Sequence, residues 1–595
     1  RYDNRQICCI YPAAFSSNLP VSGWTLIRNG ETIYLGKTYH LETVLTIADS
    51  ANSTALDIQS GGTLCIKGNI SNAKTIEIHG TLKNDFVNTN STISGNGNIS
   101  LLGGSITRTN NGGWIFDQDV YGYGTISAPA TINSSKTLKA TGGTSVTNQR
   151  LTVSGNLTNN GTIQVDQYNL LSLSGGTLTN QNTTTNTLTG GTYFVTGTLR
   201  LPSTYYINTN AATITLDGTS SNIYRGNTGT NNALANFATN NGSFTIQNDR
   251  DFSTASNFTN NGTLNIASTN SIFTVNGNLN GITSSSTTLT GGIFNITGTL
   301  RLPSSRAINT NAATIALDGT SSNIYSGSGT TNALANLATN NGTFKLMNGR
   351  TFTTAGAFSN SGTIDLDGAS TKMTFTGSTS NSGAFTMAND ATVQFDAAFD
   401  NVGGSQAFEN LIITSNGYLK NAAADTITIK GDFENKSMQN KLWDTTAATL
   451  KLSSGANHNL YFAGTNMGKD PAGYIENFAW DTLDISGSGT IYLFDGNTGN
   501  TDSALYVNFL KGLTFNTDTM AITNDFQLGT GQSGDFFIYY LPTDDRNAYL
   551  NKGTYTLAFG SGSLTAAPVP IPGTLLMLGT GLLGILGIRR RFAAE

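Results

Sequence analysis

Residues able to do chemistry are few in this chain. His40, His79 and His458, with Cys8, Cys9 and Cys65, are its whole supply of imidazole and thiol groups in 595 residues. No cysteine pair has zinc-site spacing, and adjacent Cys8 and Cys9 could bridge each other only with strain. A bridge from Cys65 to Cys8 or Cys9 is one arrangement; unpaired thiols are the preferred reading. Three histidines nearly exclude histidine-based metal or acid–base chemistry, and no cofactor is expected.

The carboxylates are scattered rather than clustered. Asp217 and Asp318 each occur in Leu-Asp-Gly-Thr-Ser-Ser-Asn, where a turn-forming role suffices. Asp365 and Asp367 flank Leu366 and should face water together. Asp495, Asn497, Asn500 and Asp502 place oxygen ligands at short spacing. They lack the register and closing glutamate of a calcium loop, so a plain turn is expected. Gly-Thr-Gly-Gln-Ser-Gly at 529–534 has neither the lysine nor the following helix of a phosphate-binding loop. No nucleophile–base pair can be assembled, so no catalytic, cofactor or metal residue is assigned.

The elements that carry these residues follow from composition. Charged residues make up only 11% of the chain, with 68 glycines and 10 prolines. Ser, Thr and Asn together supply roughly a third, far above ordinary usage. The 37% of hydrophobic residues exceeds what a disordered polar tract holds. No Gly-X-Y period exists, and helix formers are scarce. A Thr-, Ile-, Phe- and Tyr-rich chain punctuated by Gly and Asn is all-β. The formal charge of −5 and the lack of basic patches argue against a nucleic-acid partner.

Repeats set the architecture. INTNAATITLDGTSSNI at 207–223 returns as INTNAATIALDGTSSNI at 308–324, and similarity continues on both sides. We place the duplicated segments at 188–288 and 289–388. Inside them, Asn-x-Gly followed by an alternating strand recurs around Gly161, Gly242, Gly262, Gly342, Gly362 and Gly383. Asn-Asn-Gly reads as a turn that tolerates positive φ; Thr263-Leu264-Asn265-Ile266 and its equivalents read as half-buried strands. The unit is thus about 20 residues, too short to bury its apolar face alone, though stacked copies can. Strands that alternate, with no helices to cover them, fit a parallel β-helix rather than an ordinary parallel sheet. The expected core is Leu264, Ile266, Phe344, Leu346, Ile364 and Leu366, with Asn265, Lys345 and Asp365 outside.

The expected fold class is therefore all-β: a parallel β-helix (β-solenoid) with an irregular β C-terminal region and one C-terminal apolar helix. Residues 1–30 form an N-terminal segment or cap, and 31–400 the solenoid. Residues 401–565, richer in aromatics, form more β structure, as a continuation, a cap or a small sandwich. Residues 566–595 are a tail of another class. There Val569-Pro570-Ile571-Pro572 precedes an uncharged apolar run to Ile588, and Arg589-Arg590-Arg591 follows. That run is about the minimum length to span a bilayer, with the arginines cytoplasmic. The preceding chain would then lie outside the inner membrane, which demands an export signal upstream.

This tail resembles the PEP-CTERM sorting signal of Gram-negative bacteria, with Ile571 where the usual motif has glutamate. The resemblance implies recognition by exosortase, a membrane transpeptidase, cleavage near the motif, and release to the cell surface or exopolysaccharide matrix. The sorting residues would be Val569, Pro570, Ile571, Pro572, Arg589, Arg590 and Arg591. More loosely, the Asn-Asn-Gly-Thr units at 150–390 resemble autotransporter passengers and haemagglutinin-like adhesins, which are surface β-helices.

The expectation is a secreted structural or adhesive β-solenoid of the surface or matrix, only transiently held in the inner membrane, and able to hydrogen-bond exopolysaccharide or other surface carbohydrate. The alternative is a polysaccharide lyase or hydrolase on the same fold. Three or more carboxylates and basic groups converging on neighbouring coils within a groove would discriminate between the two and would overturn the passive reading.

Overall fold

The computed structural model describes residues 54–569, apart from 174, 422–423 and 497–501, and short stretches at 6–7, 24–26, 33–36, 38–41 and 45–47. Pro570, Ile571, Pro572, the apolar run and Arg589–Arg591 lie outside the described residues, as do Cys8, Cys9, Asn497 and Asn500. The described chain is almost entirely β, with two short 3-10 helices at Pro471–Tyr474 and Asp545–Leu550. No described helix is long and apolar enough to cross a membrane. The chain divides into two compact units. One holds residues 1–284, 291–306 and 323–331; the other holds 285–290, 307–322 and 332–595.

In the first unit each coil lays short strands on successive parallel sheets. One sheet runs through Leu45–Ile47, Ile70–Asn72, Ser91–Ser94, Trp114–Phe116, Ala130–Ile132 and Leu157–Asn159. A second stacks Thr54–Ile58, Thr75–Ile78, Asn98–Arg108 and Asp119–Ile126 in parallel, and later Thr209–Asp217, Ser243–Gln247 and Thr263–Ile266. Register pairs like with like: Phe244 lies beside Leu264 and Ile246 beside Ile266. Those four side chains are fully buried. The second unit repeats the arrangement, with Phe344 beside Ile364 and Leu346 beside Leu366, all buried. The residues between them face out. Lys345 and Asp365 sit side by side on adjacent coils, Nζ to Oδ2 2.9 Å.

The Asn-x-Gly units differ from the expected positive-φ turns. None of Gly161, Gly242, Gly262, Gly342, Gly362 and Gly383 has positive φ; that conformation falls in the next turn, at Asn248, Asn348 and Asn389. The glycines are demanded by stacking instead. A Cβ on Gly362 would lie 1.9 Å from the carbonyl oxygen of Gly342, and one on Gly383 2.0 Å from that of Gly362. The asparagine two places earlier is buried and forms an inward ladder. In the second unit, Nδ2 of Asn311, Asn340, Asn360 and Asn381 donates to Oδ1 of Asn340, Asn360, Asn381 and Asn401 in turn, each at 2.8 Å. In the first, Asn210 donates to Asn240 at 2.9 Å and Asn240 to Asn260 at 2.7 Å. Each amide thus spends its donor and acceptor on its neighbours, the condition under which a polar group can be buried cheaply.

Residues 401–565 carry parallel strands too. Thr426–Ile429, Thr445–Leu452, Trp480–Asp484, Asp502–Lys511, Asp535–Tyr540 and Gly562–Pro568 pair in sequence order, and Tyr555–Phe559 adds an antiparallel edge to the last. The aromatics of this region pack inside: Tyr506 stacks on Tyr539, and Ala567 and Val569 join their cluster. Val569 is fully buried and its N–H donates to the Tyr540 carbonyl at 3.0 Å.

Candidate functional site: a polar groove on the second unit

The solvent faces of four successive strands of the second unit line up two columns. Thr426, Thr449, Thr482 and Phe509 are register partners in turn; so are Thr428, Lys451, Asp484 and Lys511. Period-two alternation points both columns away from Ile427, Leu450, Leu483 and Leu510, which are buried in the core, although Thr482 and Asp484 are themselves covered at 5% exposure each. Arg546, from the 3-10 helix at Asp545–Leu550, lies over the Phe509 ring at 4.9 Å. These residues line a shallow groove of about 540 Å³.

The electrostatics of the groove are built in. Arg546 is held by Asp481 (2.9 Å) and Asp544 (2.6 Å). These hydrogen bonds, foremost, keep both carboxyls below the ordinary range and push the guanidinium higher still. Asp484 is buried, which by itself would raise its carboxyl. Hydrogen bonds from Lys511 (2.9 Å) and from Ser486 outweigh burial, and it too ends below the ordinary range. Lys451 pairs with no carboxylate among the described residues. Three cations therefore meet three carboxylates, with Lys451 left unpaired among the described residues, between threonine hydroxyls and a half-covered aromatic ring.

Three carboxylates and three basic groups do converge here on neighbouring coils, the arrangement that tells against a purely passive surface. Their state argues otherwise for acid catalysis. Glycoside hydrolysis needs one carboxyl held high so that it can give up a proton. Asp481, Asp484 and Asp544 are all ion-paired and all shifted low. The groove can bind: charge-assisted hydrogen bonds from lysine and arginine to carboxylates, and hydroxyl contacts from the threonine column.

The residues singled out in the sequence do not gather at this groove. Asp217 accepts from Asn248 and Asp318 from Asn348, one coil to the next. Asp367 accepts likewise from Asn389. Asp495 accepts from Ser503 at 2.8 Å. Gly529 closes under the Phe494 ring, where a Cβ would clash at 2.3 Å. Cys65 is buried and unbridged. His458 is buried, with Nδ1 on the Gly431 carbonyl and Nε2 on that of Ser453. A second shallow depression, lined by Phe358, Thr379, Asp400, Tyr418 and Lys420 among others, offers less charge. The groove residues are not legible as a motif because they come from four strands and a 3-10 helix that are far apart in sequence. A signal existed: Thr-apolar-Thr-apolar at 426–429 returns as Thr-Leu-Lys-Leu at 449–452 and Thr-Leu-Asp-Ile at 482–485. No family model, curated protein or solved structure matches the chain.

Proposed function

We propose that the chain is a secreted structural and adhesive β-solenoid of a Gram-negative cell surface or extracellular matrix, which holds acidic polysaccharide in the groove of its second unit. The observation that carries the reading is the pairing of Lys451, Lys511 and Arg546 with an outward threonine column and with no carboxyl poised as an acid. Uronate carboxylates would take the cations, and sugar hydroxyls the threonines and Asp484.

Delivery would run through the tail. An exosortase-like transpeptidase would recognise Val569-Pro570-Ile571-Pro572 with the apolar run and Arg589–Arg591, the inner membrane holding the chain only until cleavage. Intact mass of surface material should end near Pro572; a full tail to Glu595 would leave only a membrane anchor.

The binding half is tested with polygalacturonate, alginate and dextran as titrants. The acidic polymers should bind, more weakly at high salt, and K451A/K511A should weaken them at least tenfold; dextran should bind poorly. Equal binding of all three, or no effect of the double variant, overturns it. The second reading, an acidic-polysaccharide lyase or hydrolase, rests on the same convergence of charges. It would be favoured by new unsaturated or reducing ends appearing during incubation with these polymers.

A further inference from the structure

We infer that Asp57, Glu77 and His79, on the outer surface of the first unit, form a binding site for a divalent first-row transition ion of the zinc type. Asp57 lies on Thr54–Ile58 and Glu77 on Thr75–Ile78, and the two are register partners on adjacent coils. His79 follows Glu77 by two residues, so alternation puts both on one face, while Ile76 and Ile78 point into the core. The His79 N–H donates to the Ile58 carbonyl at 2.8 Å, which fixes the turn against the strand that carries Asp57. One ligand atom from each of the three side chains lies within 4.8 Å of the other two.

Two observations separate this from an ordinary cluster of surface charge. Asp57 is only 8% exposed; its carboxyl has a hydrogen bond with the Gln59 side chain, but among the described residues nothing donates to its Oδ1. Among the described residues, His79 Nε2 stands 3.9 Å from it, too far for a hydrogen bond. A buried carboxylate oxygen without a donor is rare and calls for an explanation. Second, the register sets Glu77 directly opposite Asp57 and so brings two carboxylates and one imidazole to a single point of the face. A cation there would give the buried Asp57 oxygen its partner.

The donor set selects the ion. One imidazole nitrogen and two carboxylate oxygens are common ligands of zinc, which binds them at about 2.0–2.2 Å in a tetrahedron. Its ligand–ligand edge is then about 3.3 Å, so the three atoms must close by about 1 Å. His79 can supply that movement, since its side chain is 40% exposed. Calcium would want six or more oxygens and no nitrogen. Three protein ligands leave the fourth position open to water. The other histidine with a described side chain, His458, has both ring nitrogens engaged by carbonyls.

The test uses the full chain, stripped with a chelator and titrated with zinc chloride at pH 7.5 by calorimetry and by thermal melting. One zinc per chain is expected, with a raised melting temperature, while calcium gives neither. H79A and D57N should each weaken zinc binding at least tenfold and abolish the zinc-dependent rise; H40A should leave both intact. D57N should also melt higher than wild type without metal, because an amide can turn a donor toward its surroundings where a carboxylate cannot. That readout separates loss of a ligand from loss of fold. No saturable uptake at about 100 µM zinc, uptake unchanged in H79A and D57N, or loss in H40A instead, overturns the proposal.

Discussion

Asn360→Asp tests the inward ladder at one atom. Asn360 is 1% exposed, accepts from Asn340 and donates to Asn381, both at 2.8 Å. Aspartate keeps the shape and the acceptor. Ionised, it sets a carboxylate oxygen against Oδ1 of Asn381; protonated, it restores the donor. Burial and the lost donor together should raise the folded-state value by about 3 units above the unfolded 3.9. A folded value raised in this way leaves stability intact below the unfolded value and removes it as pH rises toward the folded one. At 1.36 kcal/mol per unit, the cost is about 4 kcal/mol at pH 7.5 and about 1 kcal/mol at pH 4.5.

The assay is the urea midpoint of wild type and variant at the two pH values, with the wild-type shift subtracted. Two companions bracket it. Asn341→Asp, on the exposed neighbour, should change little at either pH. Asn360→Leu, which strands Asn381 Oδ1 and leaves Asn340 Nδ2 with only the Gly342 and Thr363 carbonyls, should cost about 1–3 kcal/mol at both. A variant equally destabilised at pH 4.5 and 7.5, or indistinguishable from Asn341→Asp, would refute the donor–acceptor chain as the reason these asparagines are inside.

Three further outcomes follow from the same geometry. Gly362→Ala should cost about 3 kcal/mol, because its Cβ meets the Gly342 carbonyl at 1.9 Å, whereas Gly356→Ala, with nothing within 4 Å, should be neutral or slightly stabilising in the same melt. Leu346→Asp places an unpaired charge in the core and should cost more than about 4 kcal/mol; Lys345→Asp should cost about 1 kcal/mol or less, chiefly through the like charge it sets beside Asp365. Arg546→Ala should flatten the acid side of the stability profile. Asp481 and Asp544 have depressed folded values, so their contribution is present above the unfolded value near 4 and disappears as pH falls through the folded one; an unchanged acid limb in denaturant melts would show that Arg546 does not stabilise them.

What the sequence made legible depended on spacing. The inward asparagines recur 20 or 21 residues apart, as from Asn340 to Asn360, Asn381 and Asn401. A strict period projects onto the chain as a visible repeat, so the stacked fold and the buried alternation of Leu264, Ile266, Leu346 and Leu366 could be read directly. The role of Gly362 could not. Tolerance of positive φ and absence of a Cβ are both properties of glycine, and only the carbonyl of the coil beneath decides which is used.

Chemistry on this fold is hidden where coils have unequal lengths. Lys511 meets Asp484 across 27 residues, and Arg546 meets Asp481 across 65. Insertions between strands displace such partners from any fixed interval while the register of the sheet still brings them together. The same stacking brings Asp57 beside the Glu77–His79 pair, and in the proposed site a carboxylate from the next coil supplies what a second histidine otherwise would. On a solenoid the unit of recognition is the column rather than the segment. A site is then best sought by aligning strands on their buried residues and reading the outward positions across coils. Applied to 426–429, 449–452, 482–485 and 509–511, that reading yields threonine beside threonine, then lysine, aspartate and lysine in one file.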